Sequence, residues 1–329
     1  MKNIVILGTG GTIAGVSQSS TVTTSYNSAI LPIDDIVAKL GPIKNIANIK
    51  TEQITQIDSA DMTHEIWLKL AKRVAALLNQ PDIDGVVITH GTDTLEETAY
   101  FLNLVLHSTK PVVLVGAMRP ATAVSSDGPM NLYNAIILAS SPSAQGKGVL
   151  VALNNTINCS RDVTKTNTAL QDTFKAPELG YLGYIVDDYS HFYRMPTRKH
   201  TYMTEFDINT ISELPQVDII YGYVGDRGTL VESAAANGTS GIIYAGLGNG
   251  NMSNNIKEIF KRVQDNGVVI VRSTRVGNGL VTRNGAVNDD LYKFIASDTL
   301  NPQKARILLM LALTKTKDVK KIQDIFWTY

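Results

Sequence analysis

At 329 residues the chain has room for two domains of ordinary size, and 44% hydrophobic residues suffice for two cores. Thirty basic and thirty acidic residues cancel, which argues against nucleic acid or an anionic membrane surface as a partner, and no apolar run approaches the length of a membrane span. The single cysteine, Cys159, excludes an internal disulfide and reads as a packed residue, while the five histidines (His64, His90, His107, His191, His200) lack ligand spacing, so no metal site is expected.

Taken in chain order, strand-like runs alternate with helical patterns through the first half. A strand at Asn3–Leu7 is followed by a helix at Ile33–Leu40, a strand near Ile46–Gln53 and a helix at His64–Leu78. Strand Gly85–Thr89, helix Leu95–Leu106, strand Val112–Gly116, helix Pro129–Ala139 and strand Gly148–Leu153 continue the series. This rhythm predicts an α/β fold with a mostly parallel sheet and helices on both faces. The stretch from Tyr181 to Asp207 is polar, aromatic and irregular, and reads as an irregular or antiparallel excursion. A second, smaller α/β series follows: strand Val217–Tyr221, helix Thr229–Ala236, strand Gly241–Ala245, helix Asn254–Asp265 and strand Val268–Arg272. Helices at Asn301–Thr314 and Lys317–Phe326 close it. The expected domains are therefore 1–195 and 213–329, joined by a linker at 196–212.

Two turns at strand ends carry the chemistry. The first is Gly8-Thr-Gly-Gly-Thr-Ile-Ala-Gly15, whose glycines allow a sharp bend and close approach of a ligand. It is a poor dinucleotide loop, because Ile13 stands where the third fingerprint glycine belongs. The Ser/Thr-rich run after Val16 reads as a mobile loop or loose hairpin, not as the amphipathic helix a dinucleotide fold needs. No Gly-Lys-Ser/Thr follows, which excludes a Walker loop. The second turn is Thr89-His-Gly-Thr-Asp-Thr-Leu-Glu-Glu-Thr98. Thr94-x-x-Glu97 has the spacing of a capping box, which leaves Thr92 and Asp93 without helical duty at the carboxyl end of a buried strand. Open α/β sheets bind ligands at such turns.

No Ser-His-Asp pattern and no Gly-x-Ser-x-Gly elbow is present, so the candidate nucleophiles are threonines. A threonine hydroxyl needs a base, and a lysine serves when its amine is neutral. Lys165, in Arg161-Asp-Val-Thr-Lys-Thr-Asn167, would form a workable relay with Thr92 and Asp93. On spacing alone, a solvated lysine is an equal alternative.

These motifs resemble those of the bacterial type II L-asparaginases, within the asparaginase/glutaminase amidohydrolase family, and the likeness runs from end to end. Thr9–Gly15 and His90–Thr98 match the two family signatures. Gly116–Pro120, Asp127–Ala135, Arg161–Thr168 and Leu300–Arg306 support them. The resemblance implies that Thr12 is the primary nucleophile with Tyr26 hydrogen-bonded to it, both on or beside a lid. It implies that Thr92, Asp93 and Lys165 form a second catalytic group. Ser59 and Asp93 would hold the substrate's α-carboxylate and α-amine, in a binding set that includes Ala60, Gly91 and Ala117. Backbone N–H groups near Thr92 and Ala117 would steady the oxyanion. The implied reaction is hydrolysis of L-asparagine to L-aspartate and ammonia through an acyl-enzyme, with no cofactor; the alternative is a dual-specificity glutaminase-asparaginase. The implied assembly is a homotetramer, a dimer of intimate dimers, in which Asn251 completes a neighbour's site.

The chain departs from the family pattern twice. Ala60 replaces the usual glutamine after the serine, and Ala286 stands where a glutamate often reaches toward the substrate's amine. Both weaken amine recognition and leave the reaction itself in place. The type II resemblance favours a periplasmic protein whose leader is not in this sequence; Met1-Lys2 running straight into a strand fits the cytoplasmic alternative. Two other readings compete. A nucleotide-binding module would need an acidic residue on the ribose, and Asp34 and Asp35 lie inside an unrelated helix start. The related amidotransferase subunits carry an added leading domain for which this chain has no room. Thr12, Tyr26, Thr92, Asp93 and Lys165 standing together argue against a catalytically dead homologue.

Overall fold

The computed structural model describes residues 1–41, 43 and 46–329, and the chain divides into two units, Met1–Thr210 and Ile211–Tyr329. The first unit contains β1 (Lys2–Gly10), α1 (Ile33–Ala38), β2 (Ala47–Ile57), α2 (His64–Leu78), β3 (Gly85–Thr89), α3 (Leu95–Val105), β4 (Val112–Val115), α4 (Gly128–Ser140) and β5 (Val149–Leu153). After these come β6 (Thr156–Cys159), β7 (Thr164–Lys165), β8 (Phe174–Lys175), β9 (Gly183–Val186) and β10 (Tyr189–Phe192). Eight strands form one sheet in the order β10-β9-β6-β5-β4-β3-β1-β2. The five strands from β5 to β2 are mutually parallel, and β6, β9 and β10 extend the sheet antiparallel.

The central strands are apolar throughout because both faces are covered. Ile4 and Ile6 of β1, Val87 of β3 and Val113 of β4 share one core with Ile33 and Ile36 of α1 and Leu132, Ala135 and Ile136 of α4. Helices α2 and α3 cover the other face, toward which the alternate residues Val5, Leu7, Val86 and Ile88 point, all buried. The Thr63 hydroxyl accepts from the Ile66 amide to start α2, and Trp67, Leu70, Ala71, Val74 and Leu77 bury one helical face.

The second unit is a four-stranded parallel sheet, β11-β12-β13-β14, built from β11 (Val217–Tyr221), β12 (Gly241–Gly246), β13 (Val269–Thr274) and β14 (Ile295–Ala296). Helices α5 (Thr229–Ala236) and α6 (Asn254–Asp265) share a core with Ile242, Tyr244 and Ile270. The short α7 (Asp289–Tyr292) precedes β14, and α8 (Pro302–Leu313) and α9 (Val319–Thr328) pack against the sheet. The two α/β units, the larger one mostly parallel, bear out the expected fold class.

Three details differ from the sequence reading, and a fourth, the Tyr181–Asp207 excursion, agrees with it. Strand β6 was not foreseen: it returns antiparallel from β5 through a two-residue turn, with Asn154 and Asn155 at φ 50° and 62°. The Tyr181–Asp207 excursion resolves into the antiparallel hairpin β9–β10 followed by irregular chain. Much of the expected linker at 196–212 packs on the first unit instead of hanging between units. Phe206 and Ile208 are buried, Thr204 donates to the Leu104 carbonyl and His107 donates to the Phe206 carbonyl. Finally, the Thr94 capping box does not form. Thr94 sits at the N-cap of α3, but at φ −119° and ψ 14° it lacks the extended backbone that aims a cap hydroxyl at the helix amides, and its hydroxyl donates to the Ser59 carbonyl at 2.8 Å.

Candidate active site

The connection β1-α1-β2 runs to one side of β1, and the next crossover returns to β3 on its other side. The carboxyl ends of β1 and β3 therefore flank a topological switch point, where open α/β sheets bind ligands. The register pairs Gly8 with Thr89, and the Thr9 hydroxyl donates to the Thr89 carbonyl at 2.8 Å. The two threonine motifs leave the sheet side by side.

Their turns touch backbone to backbone. Gly11 has φ +78°, and a Cβ on it would stand 2.2 Å from the Gly91 Cα. Its amide also donates to Ile57 O at the end of β2, which brings the Asp58–Ala60 turn to the same place. Instead of a helix, a single 3₁₀ turn, Thr12–Ala14, follows Gly11, as expected for a loop that is not a dinucleotide fingerprint. Thr12 is buried, and its Oγ1 lies 2.6 Å from the Tyr26 hydroxyl. Tyr26 comes from the Ser/Thr-rich segment, which forms a hairpin closed by reciprocal bonds between Val16 and Asn27. The Thr122 hydroxyl and the Ala121 and Val124 amides tie that hairpin to the loop before α4.

On the β3 side, Thr92 is buried and Asp93 exposed. Lys165 reaches them from β7, which is held by its pairing with Phe174–Lys175 of β8. Its Nζ lies 2.9 Å from Thr92 Oγ1 and 2.5 Å from Asp93 Oδ1. The structure thus gathers Thr12 with Tyr26, and Thr92 with Asp93 and Lys165, on adjoining turns.

The rest of the site is built around these groups. Ser59 is buried, and a Cβ on Gly91 would meet its Oγ at 2.6 Å. Ala60 is exposed, and its amide donates to Asp58 Oδ1. The Asp58 carboxyl is held below its ordinary pKa, first by that amide and then by the Ser28 hydroxyl at 2.7 Å, with burial opposing and the Lys165 charge assisting. The Gly116–Arg119 turn lies against Thr92, since a Cβ on Gly116 would meet Thr92 Cγ2 at 3.1 Å. Asp127 fixes this turn by accepting from the Met118 and Arg119 amides, and Asn131 donates to Gly116 O. The amides of Thr92 and Ala117 have no acceptor among the described residues.

Sequence reading gave His90 no role. It is fully buried: Nδ1–H donates to Gly91 O at 2.8 Å and Nε2 accepts from Thr98 Oγ1, which in turn accepts from the Trp67 indole. Burial pushes its pKa down to about 4 against the pull of the Gly91 carbonyl. It is a neutral brace for the Gly91 turn. Asp58 and Ser28 were also missed; Asp58-Ser-Ala is a recognisable Asx turn, and that signal was available. Asn251 lies in the second unit, exposed, in the turn Leu247–Asn251, with its Oδ1 accepting from the Met252 amide. Ala286 is exposed in the loop before α7.

Residues 3–198 match the family model for the asparaginase N-terminal domain, and residues 216–326 match that for the glutaminase/asparaginase C-terminal domain. Together they define an amide-hydrolysing enzyme. The chain belongs to the asparaginase/glutaminase family, as an asparaginase-type amidohydrolase. It is 52% identical to L-asparaginase 2 of Bacillus subtilis (strain 168), over 100% of this chain and 87% of that protein. It is 47% identical to a glutaminase-asparaginase of Pseudomonas fluorescens biotype A, over 100% of this chain and 91% of that one. A solved structure described as a probable cytoplasmic L-asparaginase from Campylobacter jejuni aligns with a TM-score of 0.97 at 49% identity, covering 100% of both chains.

Proposed function

We propose that the protein hydrolyses the side-chain amide of L-asparagine to L-aspartate and ammonia, through a threonine nucleophile and an acyl-enzyme intermediate. One observation carries this reading: two threonine hydroxyls, one against a phenol at 2.6 Å and one against a lysine amine at 2.9 Å, on turns in backbone contact. In the first half-reaction Thr12 Oγ bonds to the amide carbon and the C–N bond breaks. The Thr12 proton passes by way of Tyr26 to the leaving nitrogen, which departs as ammonia. In the second half-reaction water attacks the aspartyl ester, the ester C–O bond breaks and Thr12 recovers its proton. The Thr92 and Ala117 amides stabilise the oxyanion in both. Thr92, Asp93 and Lys165 assist the proton transfers. Lys165 Nζ donates to Thr92 Oγ1 and pairs with Asp93, contacts that support its relaying a proton at Thr92. Ser59 and Asp93 hold the α-carboxylate and α-amine, beside Ala60 and Gly91. No cofactor enters the scheme.

In this reading the domain at 1–195 supplies the chemistry, and the domain at 213–329 supplies Asn251 to a neighbour within a homotetramer of two intimate dimers. Light scattering tests the assembly. Periplasmic export follows from the type II likeness, and the relative described as cytoplasmic supports the alternative; cell fractionation decides. The second functional reading, substantial L-glutamine hydrolysis, is favoured by the glutaminase-asparaginase relative. Ala60 and Ala286 favour asparagine, because a weakened anchor penalises the longer substrate more. The test is ammonia release from both amides by the wild type and by Thr12→Ala, Thr92→Val and Lys165→Met. Each variant should lose several orders of magnitude in kcat, about as removal of a nucleophile or its base does elsewhere. Full activity in folded Thr12→Ala would overturn the assignment.

A further inference from the structure

Strand β13 reads Val-Ile-Val-Arg-Ser-Thr, with an arginine in the middle of a buried strand. Arg272 and Asp289 both have 0% side-chain exposure. All five guanidinium N–H groups are used. Nε donates to Asp289 Oδ1 at 2.5 Å and Nη2 to Oδ2 at 2.6 Å. Nη1 donates to Asn249 O and Gly250 O, both at 3.1 Å, and Nη2 also donates to Thr282 O at 3.0 Å. Asp289 Oδ2 accepts from the Asn284 amide at 2.7 Å. The pair therefore grips two loops by their backbones: Leu247–Asn251 and the stretch 282–288.

The two loops are also tied to one another. The Asn249 side chain accepts from the Thr282 amide and donates to its hydroxyl. Gly250, at φ +64°, presses its backbone on the guanidinium, where a Cβ would come within 3.0 Å of Nη1. Burying two charges costs as much as their attraction returns, so an apolar pair of equal volume would serve stability as well. An apolar pair would not fix three carbonyls and an amide. What the charges add is the position of two exposed loops, one bearing Asn251 and the other Ala286.

We propose that Arg272 and Asp289 are positioning residues for substrate recognition in trans: they set the loops with which one copy of the chain completes the α-ammonium subsite of another. This rests on the reading that Asn251 acts in a neighbour's site. The discriminating substrate is succinamate, which is asparagine without its amine. Arg272→Lys keeps a charge beside Asp289 and loses the fork. We expect its kcat/KM for asparagine to fall about 10- to 100-fold, chiefly through KM, as for a displacement of about 1 Å. For succinamate the change should stay within about 3-fold, because no amine is there to be misread. Asp289→Asn should behave alike, and the exposed Asn249→Ala should shift the ratio in the same direction without touching the buried pair. Co-expression with Thr12→Ala chains should raise asparaginase activity above that of either variant alone, since a Thr12 from the Arg272→Lys chain then meets intact loops. Equal losses on both substrates in the folded variants, or no recovery on mixing, overturn the proposal. If Asn251→Ala itself leaves the asparagine-over-succinamate preference unchanged, the underlying reading has failed. If Asn251→Ala abolishes the preference and the Arg272, Asp289 and Asn249 variants keep it, only the positioning role has failed.

Discussion

Gly11→Ala is the perturbation whose size the structure fixes best. Gly11 has φ 78° and ψ −168°, a region that is essentially glycine-only and costs an ordinary residue about 1–3 kcal/mol. The added methyl would also stand 2.2 Å from Gly91 Cα and 2.4 Å from Gly91 N, where ordinary contact begins at 3.4 Å. Both obstacles are backbone, so no side-chain rotation relieves them. The turns bearing Thr12 and Thr92 must part by about 1.2 Å, and a displacement of about 1 Å costs about 100-fold when catalytic geometry is tight. The central strands, with Leu7 and Ile88 fully buried, are untouched. Gly11→Ala should therefore fold, melt at a lower temperature and release ammonia from asparagine with kcat reduced about 100-fold. Gly91→Ala is the control. Its methyl meets Ser59 Oγ at 2.6 Å and Ser59 Cβ at 2.7 Å, against 3.1 Å to Gly11 Cα, so it displaces Ser59 more than the Gly11 turn and its main effect should fall on KM. Initial rates of ammonia release, normalised to folded protein, measure both. Wild-type kcat in Gly11→Ala would refute the claim that contact between these turns sets the catalytic geometry.

Other expectations follow from the same contacts. His90 has a folded pKa near 4 against an ordinary 6.5, so the unfolded chain binds the extra proton first. Its contribution is intact above pH 6.5 and is lost as the pH falls, about 3 kcal/mol by pH 4. His90→Gln should flatten the acid limb of the stability curve measured by urea unfolding, and an unchanged limb would contradict this. The hairpin from Gly15 to Asn27, closed by the Val16–Asn27 bonds, should gain hydrogen-exchange protection when L-aspartate is added; equal protection with and without ligand would count against a lid. The exposed Ala60 has room for a longer side chain, so Ala60→Gln should raise kcat/KM for glutamine proportionally more than for asparagine. Improvement on asparagine alone would show this view of specificity to be wrong.

Much of the scaffold was readable because its signals are local. The apolar β-branched runs gave β1, β3 and β4, and the helical pattern of His64–Leu78 gave α2 at its observed bounds. The threonine turns were readable as loops after parallel strands. What brought them into contact, the crossing of β2 to one side of β1 and β3 to the other, is a property of strand order and not of either motif. Strand β6 was legible in principle, since Asn154-Asn155 between apolar runs is the composition of a two-residue hairpin turn. Asp187-Asp188 marks the β9–β10 hairpin in the same way. Lys165 is different: two-residue strands have no period, and its approach to Thr92 depends on Phe174 and Lys175, nine and ten residues on. The Thr94-x-x-Glu97 pattern misled because the Thr94 backbone, at φ −119° and ψ 14°, is not in the extended N-cap conformation, and its hydroxyl turns to the Ser59 carbonyl. Arg272 gave a signal, a charge in a central strand, but its five acceptors lie in three separate segments.

The central claim is that Thr12 forms the covalent intermediate. Acid-quenching the enzyme during turnover of L-asparagine, followed by peptide mass mapping, tests it most directly. The account predicts one aspartyl group, lost on standing in water, on the peptide carrying Thr12, and none in Thr12→Ala. An aspartyl group on the peptide carrying Thr92, or steady ammonia release from Thr12→Ala with no adduct, would contradict it.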